Sequence, residues 1–243
     1  MNILVANDDG FESEGIKALA EVLSSENHKV IVVAPDGNRS AFSHSLTISR
    51  SLTFKKVYIS DKFESYSVDG TPADCVKFAL HYFDKEKFDM VCSGINMGNN
   101  LGSDIQYSGT VAAAMEANFF GLKSIAFSNT GRKDFNFAIN AQIIKRIFNK
   151  LVSIASDKYT LNVNLPNYEP KGIKFAPIGI QKYSDSYVKK DDGTYMLVGE
   201  PTEVKQDENC DVELSRHGYV TITPVLYDRT DYKAMNTFGD IEL

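Results

Sequence analysis

The sequence predicts an α/β fold: a Rossmann-like, doubly wound, mostly parallel sheet in three αβα layers, with a C-terminal β-hairpin arm. Two features predict the layers. Short apolar runs such as Val30 to Ala34 lack any period-2 alternation, which is the pattern of strands buried on both faces. Between such runs lie longer segments with apolar residues at helical spacing, so that strand and helix patterns alternate from Ile3 to Ser156. The arm is predicted by Tyr187 to Met196, where alternating residues flank an Asp192-Gly193 turn.

In order, Ile3 to Ala6 reads as the first strand and Gly15 to Leu23 as the first helix. Val30 to Ala34, closed by Pro35-Asp36-Gly37-Asn38, completes an opening βαβ unit. Ala73 to Phe83 reads as a helix and Met90 to Cys92 as a third buried strand, with Ser93-Gly94-Ile95-Asn96 just past its end. Gly109 to Phe120 is a helix, Ser124 to Ser128 a strand, and Phe135 to Ser156 a long helix with Ile143, Ile144, Ile147, Phe148 and Leu151 on one face. Beyond about residue 161 the texture is mainly β, at Leu161 to Asn164, Gly172 to Pro177, Tyr195 to Val198 and Tyr219 to Thr223. The expected organisation is one domain over 1–243: a Rossmann-like core over 1–160 and a β-rich part over 161–243 that carries the arm.

With 43% apolar residues the 243-residue chain can bury a sizeable core. Its 32 acidic and 26 basic residues give a net charge of -6 without any Lys/Arg block, which argues against duplex nucleic acid as a partner. No apolar run is long enough to span a membrane. Cys75, Cys92 and Cys210 are odd in number and have no C-x-x-C spacing, so neither a disulfide framework nor a structural zinc site is expected, and a cytoplasmic location fits. The tyrosines and phenylalanines have a spacing that suits a core better than a base-stacking platform.

In a doubly wound sheet, ligands bind beyond the carboxyl ends of the strands. Asp8 and Asp9 follow the first strand, and two adjacent carboxylates call for a compensating hard divalent cation. Ser40 in Asn38-Arg39-Ser40 follows the second strand and Asn96 the third, and both supply neutral oxygens suited to Mg²⁺ or Mn²⁺. Ser108, Gly109 and Thr110 open the Ala-rich helix, where free N–H groups and two hydroxyls can cradle phosphate. Plain N-capping by Ser108 is the alternative there. Gly94, Gly98, Gly102 and Gly109 form neither a dinucleotide fingerprint nor a P-loop. The four histidines are scattered; His44, close to Ser40, is the one within reach of this edge.

Taken together, Asn7-Asp8-Asp9-Gly10, Ala34-Pro35-Asp36 with Asn38-Arg39-Ser40, Gly70-Thr71-Pro72-Ala73-Asp74, Ser93-Gly94-Ile95-Asn96 and Tyr107-Ser108-Gly109-Thr110-Val111 resemble the SurE survival-protein family. The resemblance continues through Leu161 to Pro166 and Gly218 to Pro224, so it spans nearly the whole chain. It implies a 5′-nucleotidase, a phosphoric monoester hydrolase acting on nucleoside monophosphates or other small phosphomonoesters. It also implies one divalent cation, Mg or Mn, held by Asp8, Asp9, Ser40 and Asn96. A cytoplasmic homo-oligomer, a homodimer or tetramer whose C-terminal part exchanges with a neighbour, is implied as well. Two segments depart from the family. Ser13-Glu14-Gly15 replaces a frequent Ala-Pro-Gly and adds an acidic side chain, and Ala41-Phe42-Ser43-His44 replaces smaller residues.

Such a site needs no Cys or His nucleophile, because phosphoryl transfer depends chiefly on positioning and charge neutralisation. Asp8 and Asp9 are the expected catalytic residues, with Ser108, Gly109, Thr110 and Asn96 on the substrate. Direct attack by water and a transient aspartyl-phosphate both remain open, since each needs an acid beside the cation. The competing reading is a non-enzymatic metal- or nucleotide-binding module. A receiver-like domain also pairs acids after its first strand, but it would want a Lys where this chain has Asn129-Thr130-Gly131-Arg132.

Overall fold

Residues Ile3 to Ala6 are all inaccessible to solvent, and their side chains enter two different cores in alternation. Ile3 and Val5 join one cluster, Leu4 and Ala6 another, as the period of a strand requires when both faces are covered. The computed structural model describes residues 1–237. Its elements begin with β1 (Asn2–Ala6), α1 (Glu14–Ser25), β2 (Lys29–Pro35), β3 (Phe54–Val57), β4 (Glu64–Val68) and α2 (Pro72–Tyr82). They continue with β5 (Met90–Met97), α3 (Gly109–Phe119), β6 (Lys123–Asn129), α4 (Phe137–Ile154), β7 (Thr160–Leu165) and β8 (Ile173–Phe175). The last are β9 (Lys182–Tyr183), β10 (Ser186–Lys189), β11 (Tyr195–Val198), β12 (Pro201–Thr202), α5 (Asp211–Arg216), β13 (Val220–Val225) and α6 (Tyr232–Met235).

The main sheet has nine strands in the order β3-β4-β2-β1-β5-β6-β7-β13-β8. The pairings from β4 through β7 are parallel, while β3 and β13 run antiparallel to β4 and β7. Helices α1 and α4 cover one face through Ile16, Leu19, Leu23, Ile143, Ile144 and Leu151. Helices α2 and α3 cover the other through Cys75, Val76, Ala79, Leu80, Ala113 and Ala117. Each fully buried Leu or Ile contributes roughly 1.5–3 kcal/mol relative to exposure, so these two clusters hold the layers together. The chain winds outward from β1 to β2 and then returns to β5 on the opposite side of β1. That reversal opens a crevice beyond the carboxyl end of β1.

Three details differ from the sequence reading. Ser93 to Asn96 lies within β5 rather than past it, because Ile95 is fully buried and Asn96 still pairs with Ser128. The pairing with β6 shifts register between Ser93 and Asn96, so this end of the strand is irregular. Strands β3 and β4 escaped notice because two of the three buried positions of β4 are serines, Ser65 and Ser67, with Val68 the one buried apolar residue. The β-rich tail holds the short helix α5, whose six residues are too few to show a period. Asp211 is buried at its start and accepts from the N–H groups of Gly102, Gly179 and Val212 at 2.9, 2.7 and 2.8 Å.

Three tail strands, β7, β13 and β8, complete the main sheet. The expected hairpin is present as β10 and β11, with Ser186 opposite Val198 and Lys189 opposite Tyr195. Every residue of both strands is exposed. No helix among the described residues is long and apolar enough to cross a membrane.

Candidate active site

Asp8 and Asp9 leave the end of β1 on a turn that only glycine completes well. Gly10 has φ +97°, and a Cβ there would lie 3.0 Å from the Gly37 backbone. Asn7 locks the turn through its Nδ2, which donates to Gly10 O and to Ser13 Oγ, both at 2.9 Å. Ser13 in turn caps α1 by accepting from Ile16 N, so the family departure at this position is a helix start. The neighbouring Glu14 is exposed and lines a hollow with Asp134 and Phe135, away from the two aspartates.

Asp8 is 4% exposed and is clamped by the first turn of α3. Thr110 donates from its Oγ1 to Asp8 Oδ1 at 2.5 Å and from its backbone N to Oδ2 at 3.2 Å. The approach depends on Gly109, where a Cβ would fall 2.8 Å from Asp8 Cβ and 2.9 Å from Oδ2. Burial raises the Asp8 carboxyl to about 6; the Thr110 hydroxyl pulls it down, and the charge of Asp9 pushes it up again. Asp9 is also raised, by burial, against the pull of the Met97 N–H on its Oδ2 at 2.9 Å.

The other two expected ligands arrive through their neighbours. Arg39 N donates to Asp8 O at 2.7 Å, which brings the loop after β2 and its Ser40 to the aspartates. Ser40 is exposed, and its N–H is engaged by Asn38 Oδ1 at 2.8 Å. Asn96 stands beside Met97, the residue bonded to Asp9, and its Nδ2 donates to Gly98 O at 3.0 Å. That bond fixes the amide with its oxygen uncommitted among the described residues.

The first turn of α3 is more committed than the sequence suggests. Val111 N donates to Ser108 Oγ at 3.0 Å, so Ser108 is an N-cap. Thr110 spends both donors on Asp8, which leaves Gly109 N–H as the first-turn donor without a protein acceptor among the described residues. Sequence reasoning thus placed Thr110 on the ligand and missed its grip on Asp8; an acid at one strand end and a hydroxyl opening a distant helix carry no local signal of contact. His44 likewise meets Glu116 Oε2 at 2.8 Å rather than the aspartates. Lys77 reaches the other oxygen of the 3% exposed Glu116 at 2.9 Å, so the loop after β2 is latched to α3 and α2. Burial raises Glu116, but the bonds from His44 and Lys77 outweigh it and leave the carboxyl below its ordinary value.

This donor set fits a hard divalent cation. It is all oxygen, its two adjacent carboxyls are held protonated more tightly than usual when no cation offsets them, and its amide and hydroxyl oxygens are neutral. No group of three or more His, Cys, Asp or Glu arranged for a metal occurs among the described residues, so a shell built on Asp8 and Asp9 would draw its further ligands from neutral oxygens. A separate hollow of about 300 Å³ is lined by Asn99, Thr130, Arg132 and Gln181 and does not include the aspartates; the end of β1 with Asp8 and Asp9 is called the shelf.

The family model described as survival protein SurE matches residues 3–185. A 5′-nucleotidase SurE of Pelotomaculum thermopropionicum is 41% identical over 241 residues, covering 97% of this chain and 93% of that protein. One from Petrotoga mobilis is 42% identical over 241 residues, covering 96% and 95%. The crystal structure of the SurE protein from Aquifex aeolicus superposes with a TM-score of 0.84 at 39% identity, covering 98% of each chain.

Proposed function

The chain belongs to the SurE survival-protein family, and from that premise we propose that it is a metal-dependent 5′-nucleotidase that hydrolyses nucleoside 5′-monophosphates to nucleoside and phosphate. The observation that carries this reading is the junction at the sheet's reversal point. There the buried Asp8 carboxylate is bonded to the N-terminus of α3, the Asp8 backbone carbonyl to the loop after β2, and the half-buried carboxylate of the adjacent Asp9 to the end of β5.

Asp8, Asp9, Ser40 and Asn96 would hold one divalent cation, Mg or Mn. When bound, it would offset the paired carboxylates and draw charge from the phosphoryl oxygens. Thr110 keeps Asp8 fixed with both oxygens engaged, so Asp8 serves as a rigid anchor. Asp9 has one oxygen held by Met97 N–H and the other uncommitted among the described residues, which suits it to take a proton from water attacking phosphorus. The Gly109 N–H at the positive end of α3 donates to a phosphoryl oxygen, and Ser108 sets that end in place by capping it. The ester bond to the 5′-oxygen breaks as the new P–O bond forms, and the departing oxygen takes up a proton from solvent, matching the one water gave to Asp9, and leaves as the nucleoside hydroxyl.

The same reading takes the chain as one domain over 1–243, with its core over 1–160 and the part over 161–243 ending in a homo-oligomer through the arm. Tyr187, Val188, Tyr195 and Leu197 are 50–71% exposed on β10 and β11, apolar surface that a partner copy would cover. The three buried free thiols Cys75, Cys92 and Cys210 suit a reducing cytoplasm. The test is phosphate release from a panel of nucleoside 5′-monophosphates with Mg²⁺ or Mn²⁺ and with chelator. Metal-dependent release supports the enzyme. Binding of nucleotide and metal with no release from any phosphomonoester would favour a non-enzymatic module.

A further inference from the structure

The rim of the shelf carries large aromatic side chains that the hydrolytic chemistry does not use. Phe42 is 49% exposed and Tyr107 is 65% exposed, although residues of this size are ordinarily drawn into a core. The spacing of the tyrosines and phenylalanines suits a core in general, and these two are exceptions to it. Each stands beside a residue already placed at the site: Phe42 two positions after Ser40, Tyr107 immediately before Ser108.

The backbone ties their two segments together. Ser43 N donates to Tyr107 O at 3.0 Å, and Ser43 Oγ donates to Gln106 O at 2.7 Å, so the loop after β2 is sewn to the turn before α3. Phe42 lies between two non-glycine residues in the left-handed region, Ala41 at φ +60° and Ser43 at φ +54°. L-residues rarely adopt that conformation, and it persists where surrounding bonds enforce it, commonly at ligand sites. Here its effect is a sharp double bend with a phenyl ring at its apex. The latch from His44 to Glu116 follows directly and holds the far side of the bend.

In a nucleoside monophosphate the ribose sets the base one sugar's width from the phosphate. A phosphate held between Asp8, Ser40 and Gly109 therefore places its base over the neighbouring residues of the same two segments. We propose that Phe42 and Tyr107 are specificity-determining residues that form an aromatic grip for the nucleobase, stacking on its faces and favouring purines by their larger ring area. This rests on the nucleotidase reading given above. Stacking carries no hydrogen-bond readout, so the grip separates nucleotides from base-free phosphoesters more strongly than it separates one purine from another.

The experiment compares kcat/KM for adenosine 5′-monophosphate with that for ribose 5-phosphate, which lacks a base, in the natural chain, Phe42→Ala, Phe42→Tyr and Tyr107→Ala. Inhibition of ribose 5-phosphate cleavage by adenosine supplies a second readout. The expected result is a ratio of the two kcat/KM values that collapses roughly tenfold in each alanine variant, through KM, with adenosine inhibition weakened alike and Phe42→Tyr retaining both. Equal loss on both substrates would show a merely structural loop and overturn the proposal, as would a ratio that Phe42→Ala leaves unchanged. Ribose 5-phosphate cleavage with no preference for the nucleotide in the natural chain would refute the grip while the phosphatase stands. Failure to cleave any phosphoester would remove the nucleotidase reading itself.

Discussion

The shelf beyond β1 and the arm of β10 and β11 invert each other's chemistry. On the shelf a polar residue is buried and its partners are inside the chain: Asp8 is 4% exposed and receives bonds on both carboxylate oxygens from Thr110. On the arm apolar residues face solvent: Tyr187 is 71% exposed and its cross-strand partner Leu197 is 55% exposed. A buried charge is tolerated where bonds or a cation offset it, and an exposed apolar pair persists where another surface covers it. On the function proposed above the shelf takes a ligand and the arm a second copy, and substitutions should separate them.

The largest effect is expected on the shelf. Asp9→Asn should lower metal-dependent phosphate release by about a thousandfold, on the order of 4 kcal/mol of barrier, while circular dichroism and mass in solution stay unchanged. Steady-state kinetics with each metal checks it, and loss of less than tenfold would detach Asp9 from the chemistry. Next comes the arm. Placing lysines on the cross-strand pair, Tyr187→Lys with Leu197→Lys, should weaken self-association by roughly a hundredfold, because exposed aromatic anchors dominate interfaces. Sedimentation across a concentration series reads this, and an unchanged mass would assign assembly to another surface.

A smaller effect probes how the shelf is held. Thr110→Val removes the hydroxyl that lowers the Asp8 carboxyl but keeps the backbone bond, so the carboxyl should rise further and activity should fall about tenfold. The acid limb of the pH–rate profile should move to higher pH in the variant; an unmoved limb would mean that Asp8 does not set it.

The smallest is a pH signature in the metal-free chain. Burial raises Asp8 above its unfolded value of 3.8 to about 6, so its protonated form favours the fold. That contribution is complete below pH 3.8 and is lost as pH rises through about 6. Melting with chelator should accordingly show Asp8→Asn gaining stability relative to the natural chain above that window, and added Mn²⁺ should reverse the ranking. Parallel melting curves at every pH would count against a buried, uncompensated Asp8.

How much of this was legible in the sequence follows from the range of the interactions. Strands such as Val30 to Ala34 and the helix from Gly109 announce themselves because burial on both faces or one face imposes a local pattern. Strand β4 does not, because Ser65 and Ser67 occupy two of its three buried positions and Ser65 is satisfied by Val57 O at 2.9 Å across the sheet. The proposed site is legible as far as topology carries it: the carboxyl ends of β1, β2 and β5 meet because parallel strands end on the same edge. The Thr110 bond to Asp8 spans 102 residues and the His44 bond to Glu116 spans 72, and no pattern within either segment encodes such a contact. The exposure of Phe42 is out of reach of composition for a related reason, since it accompanies backbone bends at Ala41 and Ser43 that the residue types do not announce.

The most direct test of the central claim, one cation held by Asp8, Asp9, Ser40 and Asn96, is Mn²⁺ binding followed by electron paramagnetic resonance in the natural chain, Asp9→Asn and Asn96→Ala. The account predicts one bound ion per chain, displaced by Mg²⁺, with affinity reduced at least tenfold in both variants. Tight binding that neither substitution weakens would place the metal elsewhere and contradict it.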